Sequence, residues 1–61
     1  MTHYTFERIN TVAAGKYYEA ARFFGGDARI SKCDRYDNCT VNLWIEERYL
    51  KDVLNYVRYA R

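Results

Sequence analysis

The sequence predicts an α+β fold in the order β-α-β-β-α, with a three-stranded sheet ordered 1-3-2 and two helices on one face. Three observations carry this. Residues 11 to 24 repeat apolar side chains at helical spacing and stop at Gly25-Gly26. Residues 39 to 45 alternate apolar and polar. From residue 46 to about residue 60 helical spacing returns, acidic at its start and basic at its end.

The first element is read as a strand over residues 3 to 9, because His-Tyr-Thr-Phe-Glu-Arg-Ile is rich in strand formers and alternates imperfectly. A competing reading extends the following helix back to about residue 6, since Phe6, Ile9, Ala13, Tyr17, Ala20 and Phe24 also recur at helical spacing. With the strand in place, Asn10 or Thr11 is the helix N-cap, offering a side-chain oxygen to the first free amides. Along residues 11 to 24, Ala13, Tyr17, Ala20, Ala21 and Phe24 share one face, and the alanines permit close approach to a sheet. Gly25 suits the position after the helix, where a left-handed backbone carries no steric penalty.

Residues 28 to 34 and 39 to 45 read as a hairpin turned by Arg35-Tyr36-Asp37-Asn38. Cys39, Val41, Leu43 and Ile45 point to the core; Thr40, Asn42 and Trp44 point away. In the last helix Leu50, Val53, Leu54 and Val57 form the buried stripe, and Glu47 with Lys51 makes a favourable i,i+4 pair. A right-handed crossover leaves the first strand parallel to the second and antiparallel to the third. The third strand has the strongest apolar face and is placed in the centre. The arrangement resembles a ferredoxin-like half-sandwich lacking its last strand, a likeness of fold that implies no function.

A chain of 61 residues is one domain, residues 1 to 61. It buries only about 60% of its unfolded surface, which leaves little room for a deep cleft beside a core. Ten basic and eight acidic residues give a net charge of +2, which permits nucleic-acid contact without demanding it. No apolar run is long enough to span a membrane, and Met1-Thr2-His3-Tyr4 lacks the pattern of a secretion signal. These features read as a cytoplasmic protein of bacterial or viral origin.

Cys33 and Cys39 are the only cysteines. In a reducing cell they are expected to be free thiols, one buried and one partly exposed. A cross-strand disulfide meets an objection of parity. Cys33 shares the parity of Arg29 and Ser31, whereas Cys39 shares that of Val41 and Leu43, so pairing requires a bulge. With His3 some 30 residues away, the cysteines make no zinc set. His3 itself is a poor general base near a fraying end. Asp34, Asp37, Glu46 and Glu47 have ordinary turn and helix-start roles. No nucleophile elbow, phosphate loop or paired-histidine metal motif occurs. No metal or cofactor is implied.

What remains is aromatic surface: seven tyrosines, three phenylalanines and one tryptophan. Tyr17 is assigned to the core and Tyr36 to the turn, while Tyr4 could serve either way. Tyr49, Tyr56 and Tyr59 fall along one flank of the last helix, with Arg48, Lys51 and Arg58 on the other flank and outer face. Either the tyrosines cover the core edge, or they form a patch of the types enriched at binding hot spots. Trp44 lies on the sheet face away from the helices, near Arg29, where it could meet a partner or be covered by its neighbours.

In scale and architecture the chain resembles the compact phage-encoded inhibitors of host defence, anti-CRISPR proteins among them. The resemblance covers no motif residue by residue. It implies a non-enzymatic inhibitor that occludes a nucleic-acid-handling complex in the host cytoplasm, with Arg48, Tyr49, Tyr56, Arg58 and Trp44 as contacts. Beside it stands a nucleic-acid-binding module with Arg22, Arg29, Lys32, Arg35, Arg48, Lys51 and Arg58 on phosphates. A third reading is a small homo-oligomer, favoured by the marginal core. The partner expected is a protein or ribonucleoprotein, with nucleic acid as the alternative and no membrane, for a monomer or small oligomer.

Overall fold

A computed structural model describes residues 1–31 and 33–59. The elements follow the expected order: β1 (Thr2–Asn10), α1 (Thr11–Phe23), β2 (Asp27–Ile30), β3 (Asn38–Ile45) and α2 (Glu47–Tyr59). The sheet runs β1-β3-β2, with β3 antiparallel to both neighbours. Strand pairing holds residues 2 to 10 against β3, so the competing long helix from residue 6 does not form. Lys32, Ala60 and Arg61 lie outside the described residues, and with them one candidate phosphate contact and the expected last residue of α2.

Asn10 is the N-cap of α1: its side-chain oxygen accepts from the backbone N–H of Ala13 at 2.8 Å. The helix ends in a Schellman motif. The Gly26 N–H donates to the Ala21 carbonyl at 2.7 Å and the Gly25 N–H to that of Arg22 at 3.2 Å. Gly25 has φ 80°, the left-handed conformation that glycine tolerates. Gly26 has a different reason to lack a side chain, since a Cβ there would collide with the Trp44 carbonyl.

The core joins α1 to the sheet and to α2. Ala14, Tyr17, Ala20 and Ala21 meet Ala28, Val41, Leu43, Ile45 and Val53, with Tyr4, Phe6, Phe24, Tyr49, Leu50 and Val57 packed around them. Both helices thus cover one face of the sheet. The alanine face brings α1 close over β3 and β2. Tyr17 stacks on Phe6 with ring centroids 4.9 Å apart. Burial pushes its phenol above the ordinary value.

Three expectations are corrected. β2 stops at Ile30 instead of residue 34. Beyond it, the Ser31 N–H still donates to the Thr40 carbonyl, but the next closing bond runs from the Asp34 N–H to the Asn38 carbonyl. One extra residue therefore stands on the Cys33 side, the bulge that parity demanded. Cys33 and Cys39 are consequently joined in a disulfide and are not free thiols, with Cα atoms 4.2 Å apart. The Glu47–Lys51 pair is also absent among the described residues; Arg48 reaches back to Glu46 at 2.8 Å instead. Both side chains are well exposed, so this pair contributes little.

Candidate functional site

Three surfaces present the side chains of interest. The first is the hairpin tip between Cys33 and Cys39. The Asp34 carboxylate accepts from the backbone N–H groups of Tyr36 at 2.8 Å and Asn38 at 2.9 Å. Asp37 adopts φ 64°, a conformation aspartate tolerates in turns. Its carboxylate accepts from the Thr11 hydroxyl and lies 3.4 Å from the Thr11 backbone N–H. That places a negative group at the start of α1, where the helix dipole favours it. The loop is thus fixed by a disulfide at its neck, an Asx turn within it and a bond to α1 at its side. Arg35 and Tyr36 remain at the tip. The Arg35 guanidinium lies 4.9 Å from the centre of the Tyr36 ring, and Tyr36 is 68% exposed.

The second surface is the open face of the sheet. Trp44 faces His3 on β1 and Asp27 on β2; Asn42 faces Thr5 and Arg29. The His3 ring stacks on Trp44 with centroids 4.8 Å apart and planes 14° from parallel. His3 Nε2 and Thr5 Oγ1 both lie 3.1 Å from Asn42 Oδ1, and Thr5 donates to it. Trp44 is half-buried, partly covered by this neighbour. His3, expected near a fraying end, is held in place, because strand pairing begins one residue earlier, at Thr2.

The third surface is the tyrosine flank of α2, and tertiary contacts divide it. Tyr49 is half-buried and stacks on Phe24 at 5.3 Å, with Arg48 at 4.8 Å from its ring centre. Tyr56 donates from its hydroxyl to Glu19 Oε2 at 2.9 Å. That bond, then burial and the nearby carboxylate charge, raise its pKa above the ordinary value. Both side chains are therefore committed to joining α2 to α1. Tyr59 is 69% exposed, with Arg58 at 5.5 Å from its ring.

The expected contact residues do not form one patch. Trp44 and Arg29 share the open face, one row of the sheet apart. Arg48, Tyr49, Tyr56, Arg58 and Tyr59 stand on α2, across the sheet from that face. Sequence reasoning gave Thr5 no role, and took Arg35 only as a phosphate contact, Tyr36 only as a turn residue, Asn42 only as outward-facing and His3 only as a poor base. Two cysteines bracketing a turn could have signalled the Arg35–Tyr36 tip. The β1 register, had it been known, would have supplied the others.

Among the described residues, no group of three or more histidine, cysteine or carboxylate side chains is placed to hold a metal ion. No described helix is long and apolar enough to cross a membrane. The chain matches no protein-family model, no curated protein and no solved structure.

Proposed function

We propose that the protein is a non-enzymatic inhibitor that covers a surface of a protein or ribonucleoprotein partner, with the Arg35–Tyr36 tip as its leading contact. The observation that carries this is the cross-linked hairpin. A loop fixed before binding loses less conformational freedom on binding, so more of its contact energy appears as affinity. Tyrosine and arginine are the residue types that dominate interface energetics. Tyr59 and Arg58 supply a further aromatic–arginine pair, and Arg48 lies exposed beside Tyr49.

The resemblance to compact inhibitors of host defence puts the partner among nucleic-acid-handling complexes of a host cytoplasm. The disulfide fits an oxidising compartment instead, so binding belongs on both the oxidised and the reduced protein. Affinity capture from a lysate of the source organism, repeated after nuclease treatment, tests the reading. A protein that stays bound after nuclease supports it; retention of nucleic acid alone overturns it.

A second reading rests on the open face. The stacked His3–Trp44 pair beside Asn42 and Arg29 offers a ring surface, an amide and a cation, the elements that hold an unstacked base and its phosphate. It requires binding of single-stranded nucleic acid that weakens steeply with salt.

A further inference from the structure

β1 is an edge strand of nine residues, and among the described residues its side away from β3 carries no partner strand. Such an edge is a ready template for another strand. The opposite edge, β2, has only four residues. β1 has neither lysine nor proline, two residues that often protect edges. Its irregularity falls late, between Phe6 and Ile9, where Arg8 takes φ 57°. The register from Thr2 to Phe6 is unbroken.

From this edge we infer that a second copy of the chain adds to it, β1 against β1 and antiparallel, about a two-fold axis through Thr5. The sequence of the edge is self-complementary in that register. Thr5 faces the partner's Thr5, Tyr4 faces the partner's Phe6, and His3 faces the partner's Glu7. Like faces also meet. Tyr4 and Phe6 stand opposite Leu43 and Val41 on the helix side, whereas His3 and Thr5 stand opposite Trp44 and Asn42 on the open side. Aromatic pairs, threonine pairs and a basic ring opposite a carboxylate are the cross-strand contacts that stabilise antiparallel ladders.

Neighbouring registers fit worse. A shift of the axis by half a residue sets core-facing side chains against open-face ones. An axis through Tyr4 opposes His3 to Thr5 and leaves Glu7 without its basic partner. An axis through Phe6 opposes Tyr4 to Arg8 and runs the ladder through the whole irregularity, Glu7 and Arg8. The axis through Thr5 pairs Tyr4, Thr5 and Phe6 within the regular stretch and carries the ladder one residue beyond it, to Glu7 opposite His3. The product is a six-stranded sheet, β2-β3-β1-β1-β3-β2, with both His3–Trp44 pairs on one continuous face. A two-fold interface of this kind closes on itself. Its short ladder places it with weak, concentration-dependent associations. The inference is independent of the hairpin tip.

Cysteine substitution tests the register in the full chain with its native disulfide in place. Thr5→Cys is expected to self-link under mild oxidation at least tenfold faster than His3→Cys or Glu7→Cys alone. An equimolar mixture of His3→Cys and Glu7→Cys should link about as fast as Thr5→Cys, with peptide mapping confirming the junction. Equal rates for all three variants would overturn the inference, as would an unlinked Thr5→Cys whose near-ultraviolet circular dichroism is native. Sedimentation gives an independent readout: the native chain should dimerise as concentration rises, and Thr5→Lys should weaken that at least tenfold. A native chain that stays monomeric at its highest soluble concentration contradicts the proposal.

Discussion

Cys33 and Cys39 meet across the neck of the hairpin, beyond the end of the β2–β3 ladder, and tie the tip that Asp37 fastens to Thr11. The bond closes a loop whose ends are six residues apart in sequence. Closure of so short a loop removes unfolded-state entropy amounting to about 2 kcal/mol. Reduction, or Cys33→Ser with Cys39→Ser, should lower the melting temperature by roughly 10 °C in a domain of this size. Calorimetry with and without reductant checks it. An unchanged transition would show that the cysteines are not paired in solution.

The two glycines after α1 should fail differently. Gly25→Ala places a Cβ on a left-handed backbone, at a cost of about 1 to 2 kcal/mol. Gly26→Ala drives a Cβ into the Trp44 carbonyl and forces β3 and the helix end apart, costing about 1 to 3 kcal/mol. Urea unfolding of each variant measures both. Full stability of Gly26→Ala would refute the close approach of this turn to β3.

Tyr56 should titrate above its ordinary value of 10.0. A raised folded pKa means that folding favours the neutral phenol. Its stabilisation is complete below the ordinary value and is lost as pH rises through the folded value. Burial of Tyr17 acts in the same sense. Tyr56→Phe should remove part of the stability lost on alkaline titration, and Glu19→Gln should lower the Tyr56 titration midpoint. Phenolate absorbance reads the titration and denaturation at alkaline pH reads the stability.

Trp44 is the only tryptophan, so its emission reports the open face alone. His3→Ala should shift that emission to the red and raise its quenching by iodide, with a stability loss of up to about 1 kcal/mol. Unchanged quenching would mean that His3 does not cover Trp44 in solution.

The order of the elements was legible because local rules agree with the global fold. Alternation from Cys39 to Ile45 forces a buried face on the central strand. Asn10 and Gly25 mark the ends of α1 through their own chemistry. The cysteine pairing was not legible, because parity was counted through a strand that in fact stops at Ile30. Asp34 organises the loop beyond that point, and Asp37 is held by Thr11, a residue far away in sequence. The tyrosines of α2 illustrate the same limit. Tyr49, Tyr56 and Tyr59 are equivalent in helical spacing. Only Phe24 and Glu19, both contributed by the α1 side, separate two structural residues from an exposed one. His3 was dismissed for its position near the terminus, although its place opposite Trp44 is set by strand register.

The role of the hairpin tip is tested most directly by the affinity of the captured partner for the oxidised chain and for its Arg35→Ala, Tyr36→Ala double variant. The account predicts at least a thirtyfold loss on removing the tip, the scale of an interface hot spot of about 2 kcal/mol. Trp44→Ala should stay within threefold of the native chain. Native affinity in the double variant, with its disulfide and circular dichroism intact, would contradict the account.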